Sequence, residues 1–229
     1  MASPAVRRVD FGYFVRPAEE TGTGAPRVEP CLGYLVEHLD GLVLVDTGMG
    51  AHPDVDAHYR PARRNLPEAL AAGGAHVEDV ALVVNCHLHF DHCGGNPQLA
   101  GRPIITQRVE LEAAHRADYT LPELIDAAGL RYEELDGEAE ILPGVLVVPT
   151  PGHTAGHQSL AVRAGDGTVV VAGQSHDTAT AYSADALAWR AVNDGHGPPL
   201  PPTPAWIDRL CRLDPRQVVF AHDNAVWQP

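Results

Sequence analysis

Cys86-His87-Leu88-His89-Phe90-Asp91-His92-Cys93-Gly94-Gly95 is the stretch on which the fold and the chemistry of this chain turn. It sets three imidazoles and a carboxylate within the six residues from His87 to His92, after the apolar run Val80-Ala81-Leu82-Val83-Val84 and before a glycine pair. Imidazole nitrogen and carboxylate oxygen are the donors that a borderline-soft cation such as Zn²⁺ prefers. Residues two apart on an extended segment point to the same side, so the spacing predicts that His87 and His89 grip one ion together. Asp91 and His92 follow where the chain turns away, and they face a second position beside the first. A lone histidine is more often a surface or satisfied core residue. A His-x-His-x-Asp-His group behind an apolar strand reads instead as a metal site.

Working outward, short apolar strands alternate with helices. Tyr34-Leu35-Val36-Glu37 and Leu42-Val43-Leu44-Val45 are β-type runs joined around Asp40-Gly41, a hairpin-favouring dipeptide, and the second run ends in Asp46-Thr47-Gly48. Asn65-Leu66-Pro67-Glu68 opens a helix with Asn65 as its cap, and Gly73-Gly74 closes it. Ile104-Ile105-Thr106 is a further strand, followed by helices expected at 109–115 and 121–128, the latter stopped by Gly129. Val145-Leu146-Val147-Val148 leads into Pro149-Thr150-Pro151-Gly152-His153. Two more strands, 159–162 and 168–171, flank the turn Ala164-Gly165-Asp166-Gly167. A proline-rich loop at 195–202, a helix at 206–213 and a strand at 217–220 ending in Ala221-His222-Asp223 complete the pattern. Polar residues therefore stand where apolar strands end: Asp46, His87, His153, Gln174 and His222. Open sheets commonly gather their chemistry at strand ends and in the loops beyond them.

A chain of 229 residues fits one domain, spanning 1–229, with a substantial core. Hydrophobic residues at 45% and charged residues at 20% describe a soluble globular protein rather than a disordered one. Sixteen Lys+Arg against thirty Asp+Glu give a net charge of −14, which disfavours nucleic acid and anionic membrane surfaces as partners and leaves a small-molecule substrate. There is no apolar run of transmembrane length, and MASPAVRRVDFGYFVRP lacks the apolar segment of a signal peptide, so the cytoplasm is the expected location. Cys31, Cys86, Cys93 and Cys211 form no C-x-x-C pair and are expected to be reduced. Cys86, adjacent to His87, is expected on the opposite face of the extended segment, with Cys93 the cysteine nearest the site. His38, His52, His58, His76, His115 and His196 lack ligand spacing and read as surface or loop residues. Phe11-Gly12-Tyr13-Phe14 suits an edge strand or a subunit contact, and no oligomeric state is assigned.

With these motifs in order, the chain resembles the metallo-β-lactamase superfamily. The matching pieces are Val45-Asp46-Thr47-Gly48, His87-Leu88-His89-Phe90-Asp91-His92, Pro151-Gly152-His153-Thr154 and Phe220-Ala221-His222-Asp223. The run from His87 into Gly94-Gly95-Asn96, together with Asp46-Thr47-Gly48-Met49 and residues 151–160, is similar to the N-acyl-homoserine lactonase branch. The resemblance implies an α/β fold, a four-layer αβ/βα sandwich of two mixed β-sheets flanked by helices. It implies one metal held by His87, His89 and His153 and a second held by Asp91, His92 and His222. Zn²⁺ is the expected ion, although imidazole also suits other divalent transition metals. It further implies a quorum-quenching type of hydrolase that opens a lactone or related ester with a metal-bound hydroxide. Asp91 is then the group that accepts the nucleophile's hydrogen bond and passes a proton to the leaving oxygen. Asp46 resembles the carboxylate that orients a ligand histidine through its other ring nitrogen. His157 matches a family position and is expected to brace the loop after His153 rather than bind metal.

One departure bears on both metal and substrate. The family places a bridging Asp after the second hairpin, whereas here Val169-Val170-Val171-Ala172-Gly173 leads to Gln174. A glutamine oxygen can ligate a metal but brings no charge to offset two close cations. One secure site and a weaker second one are therefore expected, with His176 and Asp177 as candidate metal or substrate contacts. The family's tyrosine three residues after that Asp is here Asp177, and the nearest tyrosine is Tyr182. Two alternatives stand beside the lactonase reading. One is another superfamily hydrolase acting on a thioester, β-lactam or phosphoester. The other is a non-catalytic metal-binding protein in which Gln174 marks lost chemistry.

Overall fold

The computed structural model describes residues 4–195, 200 and 202–229. Residues 196–199 and 201 of the expected proline-rich loop, including His196, lie outside the described residues. The strands are β1 (Ala5–Arg16), β2 (Arg27–His38), β3 (Gly41–Val45), β4 (Ala62–Arg63), β5 (Val80–Val84), β6 (Pro103–Gln107), β7 (Arg131–Leu135), β8 (Ala139–Leu142), β9 (Val145–Pro149), β10 (Gln158–Ala164), β11 (Gly167–Val171) and β12 (Pro215–Val219). The helices are α1 (Pro53–Tyr59), α2 (Leu66–Ala72), α3 (Phe90–Cys93), α4 (Arg108–Ala114), α5 (Pro122–Ile125), α6 (Ala179–Asn193) and α7 (Ala205–Arg212). They form two mixed sheets, one ordered β4-β1-β2-β3-β5-β6-β7 and the other β12-β11-β10-β9-β8.

Strand periodicity explains the layering. Successive side chains on a strand face opposite ways, and the central strands β3, β5, β9 and β11 are covered on both faces and are apolar along most of their length, whereas β7 (Arg131–Leu135) is largely exposed and charged. Tyr34, Val36, Val43, Val45, Val84 and Ile105 meet Val147, Leu160, Val162, Val171 and Val219 between the sheets. Their neighbours Leu35, Leu44, Val83 and Ile104 face outward and pack with Leu66, Leu70 and Leu99. On the far side, Val148, Ala161, Val170 and Val218 pack under Tyr182, Trp206, Ile207 and Leu210 of α6 and α7. The four-layer αβ/βα sandwich implied by the resemblance is the architecture found.

Local expectations fare unevenly. Asn65 caps α2 by accepting from Glu68 N at 3.0 Å, and the hairpins at Asp40-Gly41 and 164–167 form as read. The helix expected over 121–128 is only the four residues Pro122–Ile125, because the chain must reverse into β7: Leu130 N bonds Ala127 O and Gly101 N bonds Gly129 O. Phe11 and Phe14 are both buried although three residues apart, since a register shift between Asp10 and Tyr13 rotates the strand. That segment is not an outermost strand, because the two-residue β4 pairs beyond it at Gly12 and Tyr13. Among the described residues no helix is long and apolar enough to cross a membrane.

Candidate metal centre

The ends of β3, β5, β9, β11 and the segment after β12 converge on one edge of the two sheets. Backbone bonds sew that edge together: Asp46 N to Val84 O at 3.0 Å, Gln158 N to Cys86 O at 2.8 Å, and Ala221 N to Gly173 O at 2.9 Å. The loop after β5 is held by a buried polar scaffold. His92 O accepts from Thr47 N at 2.8 Å and Asn85 Nδ2 at 2.9 Å, while Asn96 bonds both Asn85 and Thr47 at 2.9 Å. A Cβ on Gly94 would lie 2.0 Å from Gly50 N, so this loop can approach the one after β3 only with glycine there.

Within this frame four overlapping groups of donors form, two of them around Cys86 (with His87 and His157, and with Asp46 and His92) and two that share no residue with each other: His87, His89 and His153, and Asp91, His92 and His222. In the first, His89 Nδ1 lies 3.0 Å from His87 Nε2 and 3.1 Å from His153 Nε2. In the second, His92 Nε2 lies 3.1 Å from His222 Nε2, and Asp91 Oδ2 lies 3.4 Å from His222 and 3.6 Å from His92. Their outer nitrogens are engaged elsewhere: His92 Nδ1 donates to Asp46 Oδ2 at 2.9 Å and His222 Nδ1 to Pro30 O at 2.9 Å. The inner nitrogens therefore present lone pairs to one another. Zinc–nitrogen bonds of roughly 2.0–2.1 Å in a tetrahedron put ligand nitrogens about 3.3 Å apart, close to these separations. The donor set fits a divalent cation.

Electrostatics point the same way. Desolvation pushes the His87, His89, His153 and His222 imidazoles below their ordinary value, which favours the neutral form a ligand needs, whereas the Asp91 and Asp46 carboxylates outweigh desolvation at His92 and raise it. Burial alone would raise the Asp91 carboxyl, but His92, His222, His89 and Arg16 outweigh it and hold it at about 2. Asp46 occupies a left-handed backbone conformation at φ 58°, unusual for a non-glycine residue and typical of strain kept at working sites. Its carboxylate accepts from Cys86 N at 2.8 Å, His92 Nδ1 at 2.9 Å and Cys86 Sγ at 3.0 Å.

The remaining candidates separate. His157 braces the site: its Nδ1 bonds Thr150 and its Nε2 accepts from Gln174 N at 3.0 Å. Gln174 is buried, and its Oε1 has no hydrogen-bond partner among the described residues. Gln174 lines a cleft of about 470 Å³ together with His89, Asp91, His153 and Asp177. Asp177 faces that cleft but pairs with Arg27 at 3.0 Å. His176 does not reach it: its ring packs edge-on to Tyr182 and Trp206, and Nε2 bonds Asp185 at 3.1 Å. Tyr182 is likewise in the core beneath α6. The expectation for cysteine is reversed. Cys86 sits against Asp46, His87 and His92, whereas Cys93 packs with Leu88, Ala114 and Leu124. The strand ends at Val84, so the alternation that would turn Cys86 away does not extend to it.

Sequence reading missed Glu110. Fully buried on α4, it accepts from Leu88 N at 2.8 Å, from Thr154 Oγ1 at 2.7 Å and from Tyr119 OH. It thereby ties the loop of His87 and His89 to the loop of His153. Its only local signal is a charge on the buried stripe of a helix, beside Ala113 and Ala114. Also missed was the cleft wall of Phe14, Tyr59, Phe90 and Tyr119, in which Tyr59 stacks on Phe90 at 4.9 Å between centroids.

Comparison with known proteins bears on the family and the fold. The family model of the metallo-beta-lactamase superfamily matches residues 26–222. An N-acyl homoserine lactonase of Bacillus sp is 38% identical over 146 residues, covering 58% of each chain. The N-acyl homoserine lactonase AttM of Rhizobium radiobacter is 29% identical over 165 residues, 62% of this chain and 63% of that one. The matched segments thus span less than two thirds of these relatives' lengths. A solved N-acyl homoserine lactone hydrolase with the product N-hexanoyl-L-homoserine at its catalytic metal center superposes with a TM-score of 0.78 at 25% identity, over 98% of this chain and 95% of that one. AidC, a dizinc quorum-quenching lactonase, shares the fold at a TM-score of 0.69 and 15% identity, over 100% of this chain and 91% of that one. Motif order, architecture and the family match agree: the chain belongs to the metallo-β-lactamase superfamily.

Proposed function

We propose that this protein is a metal-dependent hydrolase that opens a lactone ring or a related ester, with N-acyl homoserine lactones as the leading substrate class. The observation that carries the reading is the pair of donor groups at the floor of an aromatic-walled cleft. His87, His89 and His153 would hold one Zn²⁺, and Asp91, His92 and His222 a second, more weakly held one. When bound, such an ion supplies Lewis acidity toward a carbonyl oxygen and makes hydroxide available near neutral pH.

The chain's own residues do the rest. Asp91, ionised at neutral pH and facing the cleft, accepts a proton during attack and returns it to the leaving ring oxygen. Phe14, Tyr59, Phe90 and Tyr119 offer apolar surface to a substrate's non-reacting part and exclude water from the floor. Gln174 Oε1, buried and without a hydrogen-bond partner among the described residues, is placed to accept from a substrate N–H or to ligate an ion. Product-bound lactone hydrolases of the same fold support the substrate class.

The test is a panel of N-acyl homoserine lactones, simple lactones, aryl esters and thioesters, assayed with zinc-loaded protein and with His89→Ala. Lactone opening by the wild type and background rates in folded His89→Ala are expected. Equal rates in the two proteins, or turnover confined to thioesters, would overturn the proposal.

A further inference from the structure

Asp46 cannot reach every imidazole it would need to orient. Its Oδ1 takes Cys86 N at 2.8 Å and its Oδ2 takes His92 Nδ1 at 2.9 Å. His87, fully buried and belonging to the other donor group, has its Nδ1 3.2 Å from Cys86 Sγ and no other partner for that nitrogen among the described residues. The same sulfur lies 3.0 Å from Asp46 Oδ2. A thiol can donate one hydrogen bond and accept another, so it can stand between an N–H and a carboxylate. His92 Nδ1 also lies 3.2 Å from the sulfur, but it has the carboxylate for its proton.

We infer that Cys86 is a positioning residue: its S–H donates to Asp46 and its sulfur accepts from His87 Nδ1–H, so that one carboxylate orients a histidine in each donor group. The inference rests on reading His87, His89 and His153 as metal ligands. The relay holds His87 in the tautomer whose Nε2 lone pair faces His89 and His153. Partners of this kind, bonded to the outer nitrogen of a ligand histidine, typically account for about 10–100-fold in metal affinity. A cysteine that merely filled space would be served as well, or as badly, by alanine as by serine.

The experiment measures Zn²⁺ affinity by competition with a chromophoric chelator for wild type, Cys86→Ser and Cys86→Ala, with melting of each metal-free protein as a folding control. Serine keeps a donor and an acceptor, so Cys86→Ser is expected to bind close to wild type and Cys86→Ala about 10–100-fold more weakly. Equal affinities for the two variants overturn the relay and leave the metal reading standing. No binding by wild type overturns both. Should Cys86→Ala fail to fold, nitrogen-15 NMR of the zinc-loaded wild type decides. An exchange-protected proton on His87 Nδ1 is expected, and an unprotonated Nδ1 overturns the relay.

Discussion

Gln174, with Asp177 three residues on, is where this chain parts from the pattern of the family it resembles. Its side chain is buried beside Asp91 and His153, its oxygen has no partner among the described residues, and it brings no charge. A unit charge pair about 4 Å apart at an effective dielectric near 20 is worth roughly 4 kcal/mol, and about 1.4 kcal/mol is a tenfold change in affinity. Gln174→Asp is therefore expected to tighten the second zinc equivalent by at least about tenfold. Chelator competition followed by metal analysis reads the two equivalents separately, and an unchanged second equivalent would count against the electrostatic account. The histidines were legible because their spacing follows from strand ends. Cys86 was misread because the strand stops before it, and Glu110 carries no cue of where the fold takes it.

At the scale of elements, α4 is the brace between the two loops of the first donor group. Glu110 meets three donors, and Gly156 lets the His153 loop close on α4, since a Cβ there would lie 2.4–2.6 Å from Glu110 atoms. Glu110→Ala removes the acceptor altogether and leaves the buried Leu88 N–H unsatisfied, at about 1–3 kcal/mol. Thermal melting should fall by several degrees, given roughly 2–4 °C per kcal/mol in a chain this long, and zinc affinity should fall with it. Melting and affinity equal to wild type would show that the brace is not needed. Strands with buried residues on both faces were easy to read, as was α2 with its Asn65 cap. The helix at 121–128 was overread because its apolar residues serve a reversal into β7, a tertiary requirement that no local pattern carries.

For the whole molecule, four strand ends bring donors from residues 46 to 222 to one place, so a metal bound there would be coupled to folding. An ion at about 1,000 times its dissociation constant adds roughly 4 kcal/mol to folding. Chelation is accordingly expected to lower the melting temperature by about 8–16 °C, as read by calorimetry with and without Zn²⁺. A melting temperature indifferent to metal would mean that the histidines do not form a centre. The layered architecture was legible through the resemblance carried by the ordered motifs, since the strand and helix runs alone gave only their alternation along the chain. The aromatic cleft wall was not, since it is assembled from β1, α1, α3 and the loop after α4.

The central claim is that this centre, when it holds metal, opens lactones. The most direct measurement is the rate of lactone opening by chelator-stripped protein as Zn²⁺ is returned one equivalent at a time. The account predicts a background rate without metal that rises as the site of His87, His89 and His153 fills. A rate that is already full in the stripped protein, or that stays at background with zinc bound, would contradict it.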